Sequence, residues 1–159
     1  MIYKYSMYRD YVMSKQFEQL SHTADIQIRA YGTTLEALFR HAVIGMFQVV
    51  GPKAPGCRVE NERVVCDELP ISRDIETHSI DQSALLIDFL SDILSLSDIH
   101  KEAYLDATIH ALTSTDIKAT VHGVKVTGYE VVELKAVTYH GCEIKKVGDT
   151  WQADIVFDI

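Results

Sequence analysis

"LSHTADIQIRAYGTTLEALFRHAVIGMFQVV", residues 20 to 50, changes its period in the middle. Ile26, Ile28 and Ala30 alternate with Gln27, Arg29 and Tyr31, the period-two pattern of a half-buried strand. After Gly32, Leu35, Leu38, Phe39, Ala42, Val43, Met46, Phe47 and Val50 recur at helical spacing and form one apolar stripe. Thr33 with Glu36 three residues on reads as a capping box, and "GPKAPG" at 51 to 56 cannot continue a helix. One residue resists this pattern. Asp25 sits at the mouth of the strand, where aspartate is disfavoured, so it needs a reason and a partner.

Working outward, residues 58 to 67 and 71 to 80 read as two extended segments around Pro70. A second amphipathic helix starts at a cap on Asp81 and carries Leu85, Leu86, Phe89, Leu90, Ile93 and Leu94, and it should pack on the same sheet as the first. From Ala103 the period returns to two, with Leu105, Ala107, Ile109 and Ala111 on one face. Strand patterns continue through "DIKATVHGVKV", "VELKAVTYHGCEIKKV" and "TWQADIVFDI", with Gly123, Gly128 and "GDT" at 148 to 150 read as turns. Helices that interrupt runs of adjacent strands predict an α+β fold: a single domain, with a largely antiparallel sheet packed with two main amphipathic helices. Residues 1 to 16, rich in tyrosine and charge, read as a mobile N-terminal extension, and residues 17 to 159 as the domain.

The chain has 159 residues, 47% of them hydrophobic, enough for one core. Fifteen Lys and Arg against 23 Asp and Glu leave a formal charge of -8, which repels phosphate backbones and argues against strong direct nucleic-acid binding. The same charge suits docking on a basic protein. No apolar run is long enough for a membrane span, and the N-terminus lacks the apolar stretch of a signal peptide. Three cysteines, Cys57, Cys66 and Cys142, form no CxxC and suggest neither a disulfide framework nor a zinc site; a reducing, cytoplasmic compartment fits that usage.

The common catalytic signatures are absent, including the P-loop, GxGxxG, GxSxG, HExxH and the EF-hand loop. His140 and Cys142 would share a strand face, but no third group is implied to orient a base, so a half-buried thiol beside a surface imidazole is the better reading. The last residues, "DIVFDI", bring Asp158 and the carboxylate of Ile159 to a strand end. Two negative groups so close repel unless a cation joins them. A solvated chain end would carry the same residues; a hard-cation site of carboxylate, carbonyl and water oxygens is the alternative.

"HTADIQIRAYG" at 22 to 32, the helix ending "GMFQVV", "ELKAVTYHG" at 133 to 141 and the closing "W.ADIVFDI" together resemble the archease family over about residues 17 to 159. The resemblance implies a small α+β protein that is not itself an enzyme and that activates the RtcB-type RNA ligase of tRNA splicing. It implies promotion of histidine guanylylation by GTP, multiple turnover and a broader choice of nucleotide. It also implies a divalent metal ion, calcium, held by the residues that match here as Asp25, Asp158 and Ile159, with Lys135 in contact with ligase or nucleotide. Two rival readings remain: a metal-dependent hydrolase using Asp25, Asp158 and Lys135, and a chaperone-like interaction module.

Overall fold

The computed structural model describes residues 15–20 and 24–159. The expected N-terminal extension therefore lies almost wholly outside the described residues. Its last residue, Gln16, is buried: its carbonyl accepts the Tyr31 N–H at 2.8 Å and its side-chain oxygen accepts from Arg63 at 2.8 Å.

Five strands form the first sheet. β1 (Phe17–Leu20), β2 (Ile26–Gly32), β12 (Thr150–Asp158) and β10 (Ala136–Thr138) lie side by side, and β11 (Lys145–Val147) also pairs with β12. Three longer strands form the second, in the order β6 (Ile71–His78), β8 (Asp116–Lys125), β7 (Glu102–Leu112). Every pairing is antiparallel, including the short ladders of β3 (Pro52–Lys53) with β9 (Gly128–Tyr129) and of β4 (Cys57–Glu60) with β5 (Arg63–Cys66). The fold is the α+β single domain that the sequence predicts, with its strands divided between two sheets.

Helix α1 (Leu35–Val50) packs on β1, β2 and β12 and also on β7, so it joins the two sheets. Helix α2 (Gln82–His100) lies on β6, β7 and β8 and reaches β10 of the first sheet. Both helices bury their apolar stripes in one continuous core that includes Ile28, Phe39, Phe47, Phe89, Tyr104 and Phe157. Phe47 meets Tyr104 edge-on with ring centres 5.5 Å apart, a geometry that adds about 1 kcal/mol to the area buried.

Several local expectations shift. The cap of α1 is Thr34, whose hydroxyl accepts the Ala37 N–H at 3.0 Å; Thr33 is one residue too early, and Glu36 serves as a first-turn acid. Asp81 caps α2 as predicted, accepting the Ala84 N–H at 2.8 Å. Residues 58 to 67 fold back as the β4–β5 hairpin, because Asn61 and Glu62 both take positive φ, 49° and 64°, and turn the chain in two residues. Gly123 is inside β8 and makes no turn: a Cβ there would stand 2.0 Å from the Ala103 carbonyl oxygen, so glycine permits the close approach of β7. Two register shifts in β7 break the alternation after Leu105 and leave Ala111 exposed.

The cysteine reading is also corrected. Cys57 and Cys66 form a disulfide across the β4–β5 hairpin. The Asp67 N–H donates to the Gly56 carbonyl at 3.0 Å, which makes Cys57 and Cys66 the next, non-hydrogen-bonded pair, where facing side chains come closest. An odd cysteine count hides this, because pairing depends on the hairpin turn.

Candidate functional site

The first and last long strands of the domain, β2 and β12, are neighbours, and their register fixes which side chains meet. Trp151 faces Gly32 and Phe157 faces Ile26. The ladder ends there: Asp158 is the last residue of β12, and Asp25 lies in the bend just before β2. Ile26 and Phe157 are buried in the core, whereas their chain neighbours Asp25 and Asp158 are exposed. Neither carboxylate has a hydrogen-bond or ion-pair partner among the described residues.

The outer face does carry a cation, but it is engaged. Arg29 forms a forked pair with Asp154, Nε to Oδ1 at 2.7 Å and a terminal nitrogen to Oδ2 at 3.0 Å, and this hydrogen bonding raises the guanidinium pKa further. The pair lies four residues along each chain from Asp25 and Asp158, and its guanidinium is committed to Asp154.

On the other flank of β12, Asp158 faces Ala136, and the Lys135 N–H donates to the Asp158 carbonyl at 2.8 Å. Asp25, Asp158, Ile159 and Lys135 thus gather at one end of the first sheet. Lys135 is exposed and lines an open cleft of about 750 Å³ whose walls include Ser97, Asp98, Tyr129 and Glu133. Burial, and then the charge of Glu133, push the Asp98 carboxyl up. Nothing in the sequence marks this cleft, since Asp98 closes α2 and Glu133 lies in the connection after β9.

Asp25, Asp158 and the Ile159 main chain supply oxygen donors, the ligand type that a hard divalent cation takes. Among the described residues, no group of three His, Cys, Asp or Glu side chains stands together to hold a metal, so main-chain oxygens and water would have to complete the shell. His22 lies outside the described residues. The expectation that His140 and Cys142 share a strand face is corrected: both lie in the turn after β10, where burial pushes the Cys142 thiol up to about 12.

Comparison with known proteins agrees with this architecture. The model of the Archease protein family (MTH1598/TM1083) matches residues 17–159. Protein archease of Methanosarcina barkeri is 31% identical over 153 residues, covering 91% of this chain and 97% of that one. The Pyrococcus abyssi archease is 33% identical over 153 residues, with 91% and 99% covered. The solution structure of Methanobacterium thermoautotrophicum protein 1598 superimposes with a TM-score of 0.69 at 27% identity, covering 92% of this chain and all of that one. The crystal structure of a Thermotoga maritima archease, described as a possible chaperone, shares the fold with a TM-score of 0.57 at 20% identity. The chain belongs to the archease family.

Proposed function

We propose that this protein is an activator of an RtcB-type RNA ligase of tRNA splicing and is not itself an enzyme. It promotes guanylylation of the ligase histidine, supports multiple turnover and broadens nucleotide use. The observation that supports this reading is the β2–β12 pairing, at one end of which Asp25 and Asp158 are exposed without a partner among the described residues and the Lys135 N–H bonds the Asp158 carbonyl.

In this account Asp25, Asp158 and an oxygen of Ile159 hold a divalent cation, with calcium the ion that the family resemblance implies. A divalent ion held there would offset the charge of the two aspartate carboxylates. Lys135 adds a second, movable positive charge that can reach ligase carboxylates or nucleotide phosphate. The net charge of -8 favours encounter with a basic protein over direct contact with nucleic acid. Activation requires tighter binding to the reactive arrangement of the ligase than to its resting one. A tenfold faster guanylylation needs about 1.4 kcal/mol of that preference.

The compartment we assign is the cytoplasm, and no helix among the described residues is long and apolar enough to cross a membrane. There the Cys57–Cys66 bridge is exposed to thiol reductants. Single-turnover guanylylation of the cognate ligase, with and without this protein, tests the proposal. A general chaperone would instead suppress aggregation of unrelated unfolded proteins, and a hydrolase would turn over phosphoesters alone.

A further inference from the structure

The strand that places Lys135 beside Asp158 is short. β10 has three residues and lies at the edge of its sheet, with only β12 beside it. Residues 130–135 before it and 139–144 after it have no helix or strand of their own. An edge strand this short is held weakly by its ladder alone, so its position depends on what anchors its two ends. At the leading end the anchor is the Lys135 N–H to the Asp158 carbonyl.

At the trailing end the anchors come from α2. The Tyr139 hydroxyl donates to Oδ1 of Asp88, and the Ser79 hydroxyl donates to Oδ2 of the same carboxylate at 2.6 Å. A second tie follows: the Ile144 N–H donates to the Ser83 hydroxyl at 3.1 Å. Tyr139 is 63% exposed, so core burial does not explain an aromatic residue there. Its distinguishing contact is the hydroxyl. Hydrogen bonding to Asp88 raises the phenol pKa, which keeps it a donor near neutral pH.

From this geometry we infer that Tyr139 is a positioning residue: through Asp88 it latches β10 to α2 and thereby holds Lys135 at the Asp25–Asp158 edge. The inference rests on the proposed function for its consequence in the ligase, while the latch itself can be measured without ligase. The hydroxyl is the part that matters, since the ring contributes little buried area. An acceptor oxygen on residue 88 should suffice, whether or not it is charged.

The test uses the full chain and three variants, Tyr139→Phe, Asp88→Ala and Asp88→Asn. Amide exchange followed by NMR at Lys135 is the first readout, with core amides of α1 as the internal control. Tyr139→Phe and Asp88→Ala should exchange about tenfold faster at Lys135, the change expected from losing one charge-assisted hydrogen bond, with α1 unchanged. Asp88→Asn, which keeps an acceptor, should remain within about threefold of wild type. Unchanged exchange at Lys135 in Tyr139→Phe overturns the latch, as does Asp88→Asn behaving like Asp88→Ala. The second readout is ligase guanylylation, where Tyr139→Phe should lower stimulation and Asp88→Asn should largely restore it. Faster exchange with full stimulation by Tyr139→Phe overturns the positioning role. If wild type gives no stimulation at all, the functional reading fails, and the exchange data still decide the latch.

Discussion

The Lys135 N–H and the Asp158 carbonyl, with 22 residues between them in the chain, are joined by a 2.8 Å hydrogen bond, so the "ELKAVTYH" stretch meets the final strand. On the opposite flank of the same strand lies β2, whose first residue, Ile26, faces Phe157 and follows Asp25 in the chain. Three distant parts of the chain therefore share one sheet end, and the consequences of that meeting can be measured.

Asp25→Ala should leave the fold intact and remove activation. The residue is exposed and has no partner among the described residues, so stability should change by less than about 0.5 kcal/mol. Divalent affinity should fall by about tenfold or more, because charge count tunes hard-cation sites. Calorimetric calcium titration, thermal melting and ligase stimulation together check this. Wild-type stimulation from a well-folded variant would remove Asp25 from the site.

Lys135→Ala should weaken stimulation by about tenfold, a loss of about 1.4 kcal/mol, and more than Lys145→Ala or Lys146→Ala. Those two lie on exposed β11, where Lys146 rests 5.4 Å from the centre of the Trp151 ring. Equal small effects at all three positions would show that Lys135 has no special role.

Much of the fold was legible because it is written in local periodicity. The α1 stripe, the Asp81 cap and the final strand all follow from spacing and turn chemistry. What escaped depends on contacts between distant segments. Thr33 and Thr34 are both competent caps by residue type, and their spacing to the apolar stripe does not distinguish them; the Thr34 hydroxyl is the one that accepts the Ala37 N–H. The β4–β5 hairpin was hidden because Glu62 is an unusual residue for a two-residue turn. The neighbourhood of β2 and β12 could not be read from either strand alone, so Asp25 and Asp158 were connected only through the family resemblance.

The carboxylate of Glu102 makes acid stability predictable. It is buried and accepts Arg73 at 2.7 and 2.9 Å and the Tyr104 hydroxyl at 2.8 Å. Burial alone would raise its pKa, but these donors outweigh it and hold the carboxyl below its ordinary value. A depressed native pKa stabilises the fold fully above the ordinary carboxylate value of about 4.3, and that stabilisation is lost as pH falls through the lower native value. Denaturant midpoints should therefore drop across that acid range. Arg73→Met should lower the denaturant midpoint at neutral pH and flatten this part of the acid dependence.

Gly123→Ala should be among the most damaging small substitutions. The added Cβ would meet the Ala103 carbonyl oxygen at 2.0 Å and a Tyr104 ring carbon at 2.8 Å. Backbone on a paired strand cannot move aside as a flexible side chain could, so the loss should be roughly 3 kcal/mol, read as a lower urea midpoint. A near-wild-type midpoint would mean that β7 and β8 are not as close as described.

Single-turnover guanylylation of the cognate RtcB-type ligase, followed as GMP transfer to the ligase with divalent metal and GTP present, tests the central claim most directly. The account predicts a clear rate increase when this protein is added, with no GMP transfer by this protein alone and no increase when Asp25→Ala or Asp158→Ala replaces it. An unchanged rate with wild type, or equal stimulation by both aspartate variants, would contradict it.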